Sequence, residues 1–150
     1  SVHADETIGF KKGDCVVFVG PTFVERTARF GHLETALTLA MPEKELIFRN
    51  LGWSADTVKG ESRGYEKPQS GYANLLRSIR DTKPTLLFLA YGPAESWAKT
   101  PEAFAVNYQK LLNDIKDLSA RKVLVSPFLQ ENWGSPMQPL ILRMLFQKQT

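Results

Sequence analysis

The sequence predicts an α/β protein, a three-layer α/β/α sandwich built around a parallel sheet of about four strands. Three observations support this fold class. Short apolar runs end at a glycine or a polar turn, as strands buried on both faces do. Segments with apolar residues at helical spacing follow these runs, and the two kinds of segment alternate along the 150 residues. Such alternation implies right-handed crossovers between parallel strands.

Four apolar runs are predicted as strands. They are residues 15–19 (CVVFV), 45–50 (ELIFRN), 85–90 (TLLFLA) and 122–125 (KVLV). The first and third end next to Gly20 and Gly92, and the third is introduced by Pro84. Glycine and proline at these positions are typical of turns at strand ends.

Three amphipathic helices are predicted between and after these strands. The first ends at Pro42, which cannot continue a helix. The third begins at residues 100–102 (TPE), with a cap residue and a first-turn proline in their preferred places. The predicted buried stripes are Leu33, Ala36, Leu37 and Ala40; then Tyr72, Leu75, Leu76 and Ile79; then Phe104, Tyr108, Leu111, Leu112, Ile115 and Leu118. Residues 59–70, rich in Gly, Lys, Glu and Ser, are predicted to form an exposed loop.

Composition places the chain among ordinary single-domain globular proteins, with 43% hydrophobic and 23% charged residues. No apolar run is long enough to span a bilayer. The single cysteine, Cys15, excludes an internal disulfide and a multi-cysteine metal site, and we interpret it as a buried structural thiol. The net charge of +3 arises in the last thirty residues and forms no basic stripe with interleaved aromatics, so no nucleic-acid partner is expected.

The N-terminus carries a hint about the cellular compartment. Val2-His3-Ala4 fits the small-residue pattern that precedes a signal-peptidase cut, with Asp5 as the first mature residue. Residues 1–12 are therefore interpreted as a leader and mature start. This interpretation predicts export to the periplasm or the extracellular space.

The turns that follow the predicted strands contain small and polar residues. They are residues 20–22 (GPT), 50–52 (NLG), 92–95 (GPAE) and 126–127 (SP). In open parallel sheets, ligands bind beyond the carboxyl ends of the strands. We therefore expect one shared cleft at this edge of the sheet to hold any functional site.

Three segments carry a resemblance to a known family. In their order and spacing, VVFVGPTFVER, FRNLGWSADTV and FLAYGPAESW resemble the SGNH, or GDSL-like, hydrolases over residues 13–134. The likeness is greatest to a branch with a Gly-x-Thr turn in exported proteins of planctomycete-type bacteria. The resemblance implies a flavodoxin-like fold and hydrolysis of carbohydrate or lipid acyl esters without a cofactor or metal.

The resemblance also implies roles for individual residues. Thr22 stands at the position of the nucleophile, and Gly52 matches a glycine whose backbone amide belongs to the oxyanion hole. Gly92 matches the glycine after the third strand, and Ala94 occupies the position of the asparagine that supplies a second oxyanion donor. Pro21 stands where the family has aspartate.

The Asp-x-x-His that supplies the family's general base is absent, since the only histidines are His3 and His32. A threonine hydroxyl is a poor nucleophile until a neighbouring base accepts its proton. The incomplete set therefore predicts a weak or inactive ester hydrolase. The alternatives are a non-catalytic module that binds a glycan or acyl ligand, and a structural module of a larger exported protein.

Several candidate residues also have purely structural interpretations. Thr22 and Glu25 fit a capping box at a helix start, which needs no chemistry. Ser54, Asp56 and Glu95 would either contact substrate at the cleft or serve as loop-forming and solvated residues. Trp53 and Trp97 would stack on a sugar or pack against neighbours.

The tail, residues 135–150, does not resemble the family's continuation, which has a further helix, a fifth strand and the histidine-bearing loop. One hypothesis is a truncated or frameshifted reading of a longer gene. Another is a short domain in which an apolar helix over residues 140–146 packs on the exposed edge of the sheet. A membrane-surface role for the same basic, apolar stretch is the third alternative.

Overall fold

The computed structural model describes residues 8–65, 67–92, 95 and 101–126. Within these residues the chain forms a four-stranded sheet with the strand order β2-β1-β3-β4, and all three strand pairings are parallel. The predicted α/β class with a parallel sheet is confirmed. The strands are β1 (Cys15–Gly20), β2 (Ile47–Gly52), β3 (Leu86–Leu89) and β4 (Arg121–Leu124). The helices are α1 (Thr22–Phe30), α2 (His32–Ala40), α3 (Gly71–Asp81) and α4 (Pro101–Asp114).

β2 starts and ends two residues later than predicted. Glu45 has a φ of 50°, a left-handed conformation that does not fit a strand. At the other end, Gly52 pairs with Gly20, so the strand continues through the predicted turn. Strand ends set by pairing with a neighbour leave no signal in the local sequence.

The helical region after β1 consists of two helices, where the sequence predicted one. α1 ends at Gly31, which has a φ of 60° and donates its amide hydrogen to the carbonyl of Thr27. A left-handed glycine of this kind is a common helix end, and the chain turns there before α2 begins. The stripe predicted for this region lies on α2, which contains no buried residue.

The two faces of the sheet differ in how much they bury. One face packs against α3 and α4, and among the described residues it holds twelve buried members of one hydrophobic cluster, including Leu75, Leu111 and Ile115. Of the predicted stripes, these helices bury Leu75, Ile79, Phe104 and Leu111, but α4 ends at Asp114, so Ile115 and Leu118 of its predicted stripe lie beyond the helix. The other face lies beneath α1 and α2, and its cluster has four buried members: Val16, Phe18, Val24 and Leu86.

The prediction of an exposed loop over residues 59–70 is right only in part, because Glu61, Tyr65, Lys67 and Gln69 are exposed while Gly60 and Arg63 are buried. Short 3-10 turns form at Glu61–Arg63 and Pro68–Ser70, and the Arg63 side chain is only 6% exposed. The backbone passes so close to α3 that a Cβ atom on Gly71 would lie 2.1 Å from the carbonyl oxygen of Gly60. The polar composition of the segment did not indicate this packing, because the side chains that hold the segment in place are themselves polar.

Cys15 is half-buried, and its Sγ lies 3.4 Å from the carbonyl oxygen of Thr82. Within the described part of the chain, no helix combines the length and the hydrophobicity that crossing a bilayer requires.

Candidate active site

The carboxyl ends of the four strands lie at one edge of the sheet because every pairing is parallel. Gly20 is in register with Gly52, Val19 with Leu89, and Leu89 with Leu124. We call this edge the rim, and it consists of residues 20–22, 50–56, 90–92 and 124–126. The predicted convergence of the strand ends therefore follows directly from the topology. Pro93, Ala94 and Trp97, which were predicted to lie here, fall outside the described residues.

Thr22 is the first residue of α1 and is half-buried at the rim. Its Oγ1 accepts a hydrogen bond of 2.9 Å from the backbone amide of Ala55. The capping-box prediction is wrong, because the cap position is held by Pro21 and no side chain caps the helix. The Glu25 carboxylate instead accepts a hydrogen bond of 2.5 Å from the Ser54 hydroxyl. Two loops of the rim therefore meet at the start of α1.

Ala55 is a residue of the rim that the sequence did not single out. Its φ of 55° lies in the left-handed region that alanine rarely adopts. This conformation belongs to the turn that directs its amide hydrogen toward Thr22. The sequence does not show which backbone amides take part in a site. Only a glycine at position 55 would have indicated a left-handed turn there.

The resemblance assigned a backbone amide of the oxyanion hole to Gly52 and matched Gly92 to the glycine after the third strand. In the structure, the amide of Gly52 donates to Oδ1 of Asn50 at 2.8 Å, and the amide of Gly92 donates to Oε2 of Glu95 at 3.0 Å. Both hydrogens are therefore already bonded within the chain. The lack of a side chain at Gly52 allows α1 to pack closely, because a Cβ atom there would lie 2.1 Å from the backbone nitrogen of Glu25.

Asp56 lies beneath the rim with no exposed surface. Its Oδ2 accepts hydrogen bonds from Nε of Arg63 at 2.7 Å and from the hydroxyl of Tyr91 at 3.1 Å. Its Oδ1 is buried without a hydrogen-bond partner among the described residues. Burial raises the pKa of Asp56, while the charge of Arg63 opposes that rise. Arg63 also donates to the carbonyl of Leu51 at 2.7 Å, which ties the loop to the end of β2.

Glu95 is buried as well, with 8% of its surface exposed. Its two carboxylate oxygens accept hydrogen bonds from the amides of Val58 at 2.7 Å and Gly92 at 3.0 Å. Burial raises its pKa, and these amide hydrogen bonds oppose that rise. The side chain therefore links the loop after β2 to the turn after β3, and it is not the solvated acid that the sequence permitted.

Ser54 is exposed at the rim, and Trp53 is half-buried beside it. The indole Nε1 donates to the carbonyl of Ser62 at 3.0 Å, and the ring meets Tyr65 edge-on with 5.4 Å between centroids. The Arg63 guanidinium carbon lies 5.5 Å from the centre of the indole ring. Trp53 is thus held by packing, as one of its two interpretations predicted. In the described ranges, no group of three or more His, Cys, Asp or Glu side chains is arranged to hold a metal ion.

Comparison with known proteins gives matches at the level of structure. No family profile and no curated protein sequence matches the chain. An alpha/beta hydrolase enzyme from the metagenome of Lake Arreo, Spain, superposes with a TM-score of 0.69 and 16% identity, covering 93% of this chain and 75% of that one. A catalytic mutant of an acetylxylan esterase from Geobacillus stearothermophilus gives a TM-score of 0.69 at 16% identity, covering 89% and 68%.

A third similar structure is a GDSL-like lipase from Bacteroides thetaiotaomicron, with a TM-score of 0.50, 16% identity and coverage of 74% of this chain and 47% of that one. At these identities the likeness concerns the fold. The chain has the fold of the SGNH, or GDSL-like, hydrolases.

Proposed function

We propose that this chain is a hydrolase-fold domain that binds acyl esters of a carbohydrate or lipid at the rim and hydrolyses them weakly, with Thr22 as the nucleophile. The observation that carries the proposal is the 2.9 Å hydrogen bond from the Ala55 amide to the Thr22 hydroxyl oxygen. This hydrogen bond places a backbone donor beside Thr22, the hydroxyl residue that its position in the turn after β1 and the family resemblance both indicate as the nucleophile.

The chemistry of ester cleavage explains why that pairing matters. The hydroxyl oxygen would attack the acyl carbon while its proton passes to solvent, and the carbonyl oxygen would take up negative charge. Collapse of this intermediate would break the ester C–O bond, release the alcohol with a proton from solvent, and leave an acyl group on Thr22 that water then hydrolyses to the free acid. A backbone amide directed at the carbonyl oxygen stabilises the charge, and one such donor is typically worth about 10²–10³ in rate. To take this role, the Ala55 amide, which donates to the Thr22 hydroxyl oxygen in the free chain, would transfer its hydrogen bond to the acyl carbonyl oxygen. The N-terminal end of α1 adds a favourable partial positive charge.

The same geometry supports weak catalysis. Among the described residues, none accepts a hydrogen bond from the Thr22 hydroxyl. Glu25, one helical turn along α1, binds the Ser54 hydroxyl, and Asp56 is bound to Arg63. A general base usually contributes about 10²–10⁴ in rate. We therefore expect slow acylation of Thr22.

The proposal is tested by hydrolysis of p-nitrophenyl acetate. We expect the unmodified chain to exceed the rate of buffer alone and Thr22→Ala to lose at least about tenfold of that excess, in line with the loss of a nucleophile. Thr38→Ala is the matched control, because Thr38 is an exposed helical threonine whose hydroxyl bonds the Glu34 carbonyl. Equal rates for the unmodified chain and Thr22→Ala, with both variants folded by circular dichroism, would exclude Thr22 as a nucleophile.

A second candidate function is binding without turnover. It is favoured by the amides of Gly52 and Gly92, which are already satisfied within the chain. Its test is calorimetric titration with acetylated xylo-oligosaccharides, comparing the unmodified chain with Trp53→Ala. Saturable binding with no released acetate would support the module, while acetate release that depends on Thr22 would support the enzyme. Export of the domain remains a prediction from residues 2–5.

A further inference from the structure

An apolar groove lies on the face of the sheet beneath α1 and α2. It encloses about 320 Å³ and is lined by the N-terminal segment, both helices and the strands below. Six of the lining residues are Phe10, Phe18, Phe23, Leu37, Phe88 and Val125. Phe23 is 52% exposed and Val125 is 38% exposed, so the groove presents apolar side chains at the surface.

This groove marks the side of the domain that is less completely covered. Counting only the residues that the structure describes, the opposite face buries twelve cluster residues beneath α3 and α4, whereas this face buries four. The less covered part lies toward β4, where Val123 is half-buried and Val125 is 38% exposed. Contiguous apolar surface of this kind usually marks a place where another segment or molecule binds.

We propose that residues 139–146 (PLILRMLF) of the same chain occupy this groove. Six of these eight residues are Leu, Ile, Met or Phe, whose side chains are strongly stabilised by removal from water. The chain leaves β4 at Val125, which itself lines the groove. The residues between this point and position 139 span up to roughly 40 Å when extended, which is ample for a return to the same face.

The tether favours this segment over a second molecule. A segment joined to its site by a short linker has an effective concentration of about the millimolar range, well above that of a second copy at ordinary protein concentrations. The charges also agree. Glu34 follows the groove residue Leu33 on α2, and its Oε2 is buried without a hydrogen-bond partner among the described residues. Arg143, the single charge within the segment, would supply a partner for that oxygen.

Disulfide trapping in the full-length chain tests the proposal. In a Cys15→Ser background, Leu37→Cys is combined with Leu145→Cys, and Leu39→Cys with Leu145→Cys serves as the matched control. Leu37 lines the groove, while Leu39 lies on the same helix and is 76% exposed. We expect the Leu37 pair to form an intramolecular disulfide on the order of tenfold faster than the control pair, because only the Leu37 site would hold residue 145 close by.

Two outcomes of the trapping experiment would overturn the proposal. Equal intramolecular rates for the two pairs would mean that the segment does not select the groove. Disulfide-linked dimers whose yield falls when the protein is diluted before oxidation would identify a second copy as the occupant. A measurement on the unmodified sequence guards against misfolded variants: we expect nuclear Overhauser contacts from the Ile141 methyl groups to the rings of Phe18 or Phe88, and their absence in a folded chain would also overturn the proposal.

Discussion

Individual buried side chains hold the rim together from beneath. Asp56, Arg63, Tyr91 and Glu95 join the loop after β2 to the turn after β3 through hydrogen bonds to one another and to the backbone. Asp56 and Arg63 are 0% and 6% exposed, so neither charge can be stabilised by water if its partner is lost. The position of Thr22 and Ala55 therefore depends on polar groups that solvent does not reach.

We expect Asp56→Asn to lower the free energy of unfolding by about 3–5 kcal/mol, because the substitution leaves the Arg63 guanidinium buried without a countercharge. Urea denaturation followed by circular dichroism measures the change. Lys12→Ala is the control, since the Lys12–Glu45 ion pair has side chains 68% and 65% exposed and such pairs contribute about 0–1 kcal/mol. Similar losses for the two variants would contradict a structural role for the buried pair.

At this scale the sequence predicted some features of the candidate site and missed others. It placed Thr22, Gly52 and Asp56 near one edge because each follows a recognisable apolar strand. It could not find Ala55, whose contribution is a backbone amide, or Arg63, whose loop has a composition typical of exposed segments. It singled out Gly52 by family resemblance. The structure shows why a side chain does not fit at this position: α1 passes too close to it, and that contact is not visible in the sequence.

Helix α1 packs across the end of β2 at a distance that only glycine permits. We expect Gly52→Ala to destabilise the domain by roughly 1–3 kcal/mol or more, because the added Cβ would lie 2.1 Å from the backbone nitrogen of Glu25 and force α1 away. Gly31→Ala is the comparison. No atom lies within 4 Å of a Cβ there, so the cost is the left-handed φ of 60° alone, about 1 kcal/mol.

Thermal unfolding of the two glycine variants ranks these effects. A larger loss for Gly31→Ala than for Gly52→Ala would show that α1 can move away from β2 at little cost. Because α1 begins at Thr22, we also expect Gly52→Ala to reduce any Thr22-dependent hydrolysis more than Gly31→Ala does.

α2 and α3 have similar sequence patterns and different surroundings. Apolar residues recur at helical spacing in both, which is why the sequence predicted a buried stripe for each. α3 buries Leu75 and Ile79, whereas no residue of α2 is buried in the described structure. Periodicity shows that a helix has an apolar face, and it cannot show whether another element covers that face.

We expect the amides of α2 to exchange with deuterium faster than those of α3, by at least about tenfold, because helices with few buried contacts open locally at lower free energy. Hydrogen exchange measured by mass spectrometry on the native chain checks this. Equal protection of the two helices would show that α2 is held by contacts as extensive as those of α3. If residues 139–146 fill the groove, disrupting them with Leu145→Asp should increase the exchange of α2 further.

At the scale of the whole molecule, four short apolar runs sufficed to predict the sheet. Uninterrupted stretches of Val, Leu and Phe are stable only when both of their faces are covered, and that requirement implies helices on either side. The same reasoning could not predict how well each face is covered. The asymmetry between the two faces depends on contacts distant in sequence, which short-range patterns do not encode.

At the edge of the sheet opposite the rim, the carboxylate of Asp14 binds residues from several segments of the chain. Asp14 is 4% exposed and accepts hydrogen bonds from the amide of Lys11, at 2.7 Å, from the hydroxyl of Thr85, at 2.7 Å, and from Arg121. It joins the N-terminal segment to the starts of β3 and β4. Burial raises the pKa of Asp14, but these hydrogen bonds and the charge of Arg121 outweigh burial, and the net result is a pKa below the ordinary value of 3.8.

This lowered pKa predicts the direction of the acid response of the domain. In the unfolded chain Asp14 binds a proton more readily than in the folded chain, so its contribution is fully present above pH 3.8 and is lost as the pH falls through the lower folded value. Asp56 and Glu95 act in the opposite direction: burial raises their pKa values, so stability falls as the pH rises from their ordinary values of 3.8 and 4.5. We therefore expect Asp14→Asn to destabilise the domain at pH 7 and the difference between the two proteins to shrink progressively as the pH is lowered below 3.8, as measured by urea denaturation across a series of acidic pH values. A difference that grew as the pH fell below 3.8 would mean that the charge of Asp14 does not hold this edge of the sheet.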